Sequence, residues 1–237
     1  MKILSISDVV ASSLYNPNAR DRFGDVDLVL ACGDLPAYYL EFIVTLLCVP
    51  VYYVLGNHAD EHSSPAGEPP QGEVKRSWGE PPNLSHGNVF RDHDRVVGPS
   101  GCTNIDGRVI NYKGLLIGGL QGSIWYNGGP YQYTDHEMSR RMLMLQPQLR
   151  LNRLRYGRAL DILITHAPPS GIHDDVDPAH QGFRSLLKFM DDFAPRYLIH
   201  GHKHVYLPGE ATVTQYRRTT VINTYGFRRL ELEVAEQ

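Results

Sequence analysis

Short apolar runs recur along the chain, and several stop at a small group of polar residues. Lys2–Ser7, Asp27–Cys32, Val51–Leu55, Asp161–Thr165 and Arg196–His200 read as β-strands, since near-continuous apolar runs of this length suit strands buried on both faces. Helical spacing appears between them. Leu40, Ile43, Val44 and Leu47 fall on one face, with Pro36 at a first helical position. Phe183, Leu186, Leu187, Met190 and Phe193 mark a second such face. Thr134-Asp135-His136-Glu137 has the capping-box pattern, and the helix it opens runs through Met138, Met142 and Leu145, with a kink expected near Pro147. Arg108–Tyr112 and Leu115–Leu120 flank Lys113-Gly114 and predict a hairpin. Thr219–Thr224 and Phe227–Val234 predict two closing strands around Tyr225-Gly226. The alternation of strand and helix predicts an α/β fold, and the late strands without helices predict a partly antiparallel second sheet.

One stretch departs from this rhythm. Residues 59–101 carry Pro65, Pro69, Pro70, Pro81, Pro82 and Pro99 with little apolar periodicity. They predict an irregular loop or lid inserted into one domain that spans residues 1–237. Composition narrows the class. Of 237 residues, 42% are hydrophobic and 21% charged, as in a globular protein with a sizeable core. The formal net charge is −3 without a long basic run, so neither nucleic acid nor an anionic membrane is an expected partner. No apolar run reaches transmembrane length, and the N-terminal run is too short for a secretory signal. Cys32, Cys48 and Cys102 are odd in number and lack Cys-x-x-Cys spacing, which predicts free thiols and a cytoplasmic location. Nothing in the sequence sets an oligomeric state.

The candidate chemistry lies where the strands end. Asp8 follows the first run, Gly33-Asp34 the second and Gly56-Asn57-His58 the third. His166 ends the Asp161–Thr165 run, and Gly201-His202-Lys203-His204 follows His200. Open α/β folds bind ligands just beyond the carboxyl ends of their strands. Carboxylates, an amide and imidazoles delivered there suit divalent manganese, iron or zinc. Each residue has an ordinary reading by itself: Asp8 or Asp34 as a turn or cap, Gly56-Asn57 as a turn dipeptide. It is the ordered set that carries weight. His200, inside an apolar strand, reads as a packed core residue. His173, close in sequence to His166, is a further candidate for substrate contact.

The order Asp8, Gly33-Asp34, Gly56-Asn57-His58, His166, Gly201-His202-Lys203-His204 resembles the calcineurin-like metallophosphoesterases. The resemblance implies a four-layer α/β architecture, a β-sandwich of two mixed sheets flanked by helices. It implies metal-dependent hydrolysis of a small phosphodiester or phosphomonoester by a metal-bridging hydroxide. It implies one or two divalent ions, with Asp34 shared, Asn57, His166 and His202 on one side, and Asp8 and His204 on the other. Asn57 and His58 would contact substrate, and His58 would protonate the leaving oxygen or stabilise developing charge.

Three departures from the family pattern bear on function. The first motif, Asp-x-His in the family, is Asp8-Val9-Val10. Ala59 stands where an acidic residue usually follows Gly-Asn-His. Leu55 stands where Ser/Thr protein phosphatases carry arginine. The missing imidazole leaves two alternatives beside the two-metal enzyme: a one-metal hydrolase, and a weakened or non-catalytic scaffold of the same fold. If residue 10 faces the site from an extended strand end, Val10→His is expected to restore a ligand.

Overall fold

The computed structural model describes residues 1–58, 98–207 and 209–233. Its elements are β1 (Lys2–Ser7), α1 (Ala19–Phe23), β2 (Leu28–Ala31), α2 (Ala37–Leu47), β3 (Val51–Tyr53), β4 (Cys102–Asn104), β5 (Val109–Tyr112), β6 (Leu115–Leu120), β7 (Ser123–Ile124), β8 (Gln132–Tyr133), α3 (Asp135–Tyr156), β9 (Ile162–Thr165), α4 (Arg184–Phe193), β10 (Tyr197–His200), β11 (Val213–Tyr216), β12 (Thr219–Asn223) and β13 (Gly226–Glu231). Two large sheets result. One has the order β13-β1-β2-β3-β4 and the other β11-β12-β10-β9-β6-β5. Both are mixed: β13 on β1, β11 on β12, and the β5–β6 hairpin are antiparallel, and the remaining neighbours are parallel.

The strands are apolar on both faces because both faces are covered. Between the sheets, Ile3, Leu28, Leu30, Ile117, Ile162 and Ile199 form one buried layer. Outside the first sheet, Phe23 of α1 and Tyr39, Leu40 and Ile43 of α2 pack on β1 and β2. Outside the second, Met138, Leu145 and Leu149 of α3 meet Phe189 and Met190 of α4. The result is helix, sheet, sheet, helix. Each fully buried Leu, Ile or Phe contributes about 1.5–3 kcal/mol relative to exposure, so the layering follows from where the apolar residues fall.

The closing strands separate. β12 stays in the second sheet beside β10, whereas β13 crosses to the first and pairs with β1, Ile3 opposite Leu230. Thr224 stands at the crossover with its hydroxyl 2.5 Å from Ser5 Oγ, so one hydroxyl pair links the two sheets. The capping box forms as the sequence predicts: Glu137 N–H donates to Thr134 Oγ1 and Thr134 N–H to Glu137 Oε2. α3 then runs without interruption through Pro147 to Tyr156, where Gly157 takes the left-handed conformation at the C-cap. Pro36 caps α2 rather than beginning it. Of the expected irregular insert, residues 59–97 lie outside the described residues, and 98–101 form a turn into β4. No helix among the described residues is long and apolar enough to cross a membrane.

Candidate metal centre

The strands of both sheets bring their polar termini together. β1 leads into Asp8, β2 into Gly33-Asp34, β9 into His166 and β10 into Gly201-His202. The chain turns sharply at these points: Asp8, Asp34 and His202 all have positive φ, at 64°, 51° and 65°. Left-handed backbone at non-glycine residues costs energy, and its clustering here marks a locally overdetermined arrangement. Close approach is also built in. A Cβ on Gly56 would overlap the Asp34 carboxylate, and one on Gly201 would overlap the Ser7 hydroxyl and the Asp8 carboxylate.

His166 is the hub. Its Nε2 lies 3.1 Å from each of Asn57 Oδ1, Asp34 Oδ2 and His202 Nδ1. Its Nδ1 donates to the Cys32 carbonyl at 2.8 Å, which commits Nε2 to the cluster. His202 is fixed in the complementary way, donating from Nε2 to the Ala179 carbonyl at 2.6 Å and turning Nδ1 inward. Asn57 donates from Nδ2 to the Tyr126 hydroxyl at 3.1 Å, which turns its Oδ1 to the same point. Carbonyl partners behind imidazoles, fixing tautomer and orientation, are the usual support of metal-ligating histidines. Asp34, His166 and His202 bring donor atoms within 4.8 Å of one another, and Asn57 adds a fourth. The donor set and its buried, preoriented geometry fit a divalent ion of the manganese, iron or zinc type.

The charge balance agrees with the geometry. Burial alone would raise the Asp34 carboxyl, but His166 beside it and hydrogen bonds from His166 and the His58 N–H hold it below the usual carboxylate range. Burial disfavours a charged His166. The Asp34 charge and hydrogen bond, the Asp8 charge and the Cys32 carbonyl outweigh it and push this imidazole up to about 9. Burial, aided by the charge on His166, holds His202 well below the ordinary imidazole value.

The second group is looser. Both Asp8 oxygens accept from the His202 N–H, at 3.0 and 3.1 Å, and burial raises this carboxyl above its ordinary value. His204 Nε2 is 3.9 Å from Asp8 Oδ1, its Nδ1 is 2.6 Å from the Tyr206 hydroxyl, and its ring packs on Tyr225. His58 is exposed, with its backbone N–H donating to Asp34 Oδ1 at 3.0 Å. His173 is not brought into the cluster. Its nitrogens meet His200 Nε2 at 3.1 Å and Thr214 Oγ1 at 2.8 Å, so both are engaged with protein partners. His200 is buried as expected, and burial pushes its imidazole down to about 3.

Val10 does not stand where an extended strand would put it. β1 stops at Ser7, the left-handed turn at Asp8 ends the alternation of side chains, and Val10 packs against the apolar layer under α1 and α2. The structure also adds residues that periodicity did not reveal. Ala179 and His180 belong to a short 3-10 turn, Pro178–His180, whose only signal in the sequence is Asp177-Pro178 as a turn start. The Cys32 and Ala179 carbonyls carry no side-chain signal at all.

The match to known proteins accords with this centre. The family model described as calcineurin-like phosphoesterase matches residues 1–206, and the chain belongs to that family. No curated protein sequence matches the chain. One solved structure, 12% identical, aligns over 97% of this chain and 94% of its own with a TM-score of 0.55. TT1561 of Thermus thermophilus is 12% identical over 95% of this chain and 89% of its own, with a TM-score of 0.49. Vps29 of Entamoeba histolytica, complexed with zinc, is 14% identical over 99% and 88%, with a TM-score of 0.41. At these identities the likeness is one of fold alone, and it rests on the first of the three.

Proposed function

We propose that the protein is a metal-dependent hydrolase of phosphoester bonds, acting on a small phosphodiester or phosphomonoester. The observation that carries this reading is the convergence of Asp34, Asn57, His166 and His202 on one point, with both imidazoles held from behind by carbonyls. Asp34, Asn57, His166 and His202 would hold the first ion, and Asp8, Asp34 and His204 the second. When bound, a divalent metal supplies neutralisation of phosphoryl oxygens and a water of lowered pKa.

The chain's own residues do the rest. Asn57 keeps its carbonyl oxygen on the centre because Tyr126 takes its N–H. His58 follows on the exposed rim, fixed at its backbone by Asp34, where its imidazole can reach the leaving oxygen and deliver a proton. Among the described residues, Asn57, His166 and His202 are buried, whereas His58 is exposed and His204 half-exposed. Manganese, iron and zinc are alike compatible with the ligands, and a cytoplasmic setting accords with the three free cysteines.

A second reading is favoured by one observation. Val10 packs half-buried against the apolar layer and contributes no imidazole, which points to an enzyme with one tight metal position or to a weakened relative. A phosphomonoesterase and phosphodiesterase screen with added manganese, iron or zinc, and bound metal quantified in the same preparation, separates these. Turnover that tracks metal content supports the hydrolase. Stoichiometric metal with no turnover on either substrate class supports the weakened relative. A protein that takes up no metal defeats the proposal.

A further inference from the structure

We propose that the outer face of α3, with the cleft beside it, is a docking surface for an acidic amphipathic helix of a partner protein. The surface is separate from the metal centre. Asn152 of α3 donates to the Ala159 carbonyl, so this end of the helix lies by the start of β9, whereas His166 follows its far end.

α3 is apolar on two opposite sides. Met138, Met142, Leu145 and Leu149 face the core. At 3.6 residues per turn, Leu143, Met144, Leu151 and Leu154 fall within one arc of about 100° on the other side, spread over about three turns. They are exposed by 57%, 78%, 58% and 85%. A surface helix ordinarily turns polar residues outward. A single exposed leucine is common, but a continuous stripe of them marks an interaction surface.

The stripe runs into a cleft. Between α3 and β5, the edge strand of the second sheet, lies a space of about 210 Å³ walled by Val109, Ile110, Leu151, Arg155 and Tyr156 among others. Leu151 belongs to both cleft and stripe. A helix laid along the stripe could therefore anchor one apolar side chain in the cleft, as amphipathic helices do in grooves.

Charge selects the occupant. Between Met138 and Gly157 the helix carries Arg140, Arg141, Arg150, Arg153 and Arg155 and no acidic residue, in a chain of net charge −3. Arg141 is paired with Asp106. Arg140, Arg150, Arg153 and Arg155 are exposed, and among the described residues none of these four is in a salt bridge. Arg150 meets Gln146, Arg153 the Asp192 carbonyl, and Arg155 lies over the Tyr156 ring. Apolar stripe and flanking guanidiniums together fit leucines flanked by glutamate or aspartate. A second copy fits worse: an antiparallel contact that sets Leu143 against Leu154 also brings Arg140 of each copy towards Arg155 of the other. An anionic bilayer would have to accept a protein of net negative charge and would leave the cleft unfilled.

The test is fluorescence anisotropy on the full chain with a labelled peptide of about 18 residues, carrying leucines at i, i+4, i+7 and i+11 and glutamates beside them. The same peptide with lysine for every glutamate is the control. Wild type should bind the acidic peptide with a Kd below about 1 mM, and the basic one at least about tenfold more weakly. Raising NaCl from about 0.05 to 0.5 M should weaken the acidic complex. Leu151→Ser and Leu154→Ser should each weaken it about tenfold. Arg155→Glu should shift the preference towards the basic peptide, and thermal melts check that all three variants fold. Bound metal should be unchanged in them, so failure of the hydrolase reading would leave this inference standing. It is overturned if wild type binds neither peptide, if it binds both alike, or if the leucine variants keep wild-type affinity. It is also overturned if light scattering finds a dimer that Leu154→Ser dissociates, or if phosphatidylserine vesicles carry down wild type but not Leu154→Ser.

Discussion

His166 and His202 face each other nitrogen to nitrogen, Nε2 to Nδ1 at 3.1 Å, while each donates its other N–H to a backbone carbonyl. Two lone pairs cannot share that distance without something positive between them. In the metal-free protein it is the proton on His166, retained up to about 9 by Asp34 and Asp8 against the effect of burial. A metal ion bound there must displace it.

Metal binding should therefore release about one proton between pH 7 and 8.5, and affinity should rise with pH across that range. The sign follows from the competition: below about 9 the proton occupies His166, so each fall in pH strengthens the competitor. His202 adds nothing, since burial already keeps it neutral. Titrations in buffers of different ionisation enthalpy give the proton count. Binding with no proton release across this range would contradict the assignment of His166 as a ligand.

His58→Ala should lower turnover far more than metal content. Its N–H holds Asp34, but that bond belongs to the backbone and survives the substitution. A side chain acting on the leaving group typically contributes about 10²–10⁴-fold in rate. Metal analysis beside steady-state kinetics distinguishes the cases, because a parallel fall in bound metal would make His58 a ligand.

Gly56→Ala should damage the centre without replacing a donor. The added methyl would occupy the place of the Asp34 carboxylate, and overpacking of this kind costs about 1–3 kcal/mol. Loss of tight metal binding together with a lower melting temperature is the expected result. Wild-type metal affinity in this variant would mean that Asp34 can move away at no cost.

The strands were legible because their apolar runs are continuous, and the fold is of a kind where both faces of those runs are covered. The capping box at Thr134 was legible because its two side chains act within one turn. The short elements were not. α1 and β4 are too brief for periodicity to show, and the destination of β13 depends on which sheet edge is open rather than on its own residues. At the site, donor side chains could be read from their order along the chain. The carbonyls of Cys32 and Ala179, which fix both imidazoles, could not, because every residue has a carbonyl and only the fold aims these two.

Val10→His is where sequence and structure diverge most. Two residues along an extended strand would share a face with Asp8, and an imidazole at position 10 would then restore the family ligand. The backbone at Asp8 is left-handed, with φ of 64°, and the alternation ends there. Val10 is half-buried against the apolar layer under α1 and α2. A histidine in that position adds volume and polar nitrogens at the edge of that layer. Overpacking costs about 1–3 kcal/mol. The variant should melt at a lower temperature with unchanged metal stoichiometry and affinity. A stable Val10→His protein that binds the weaker ion more tightly would show that residue 10 can reach the centre after all.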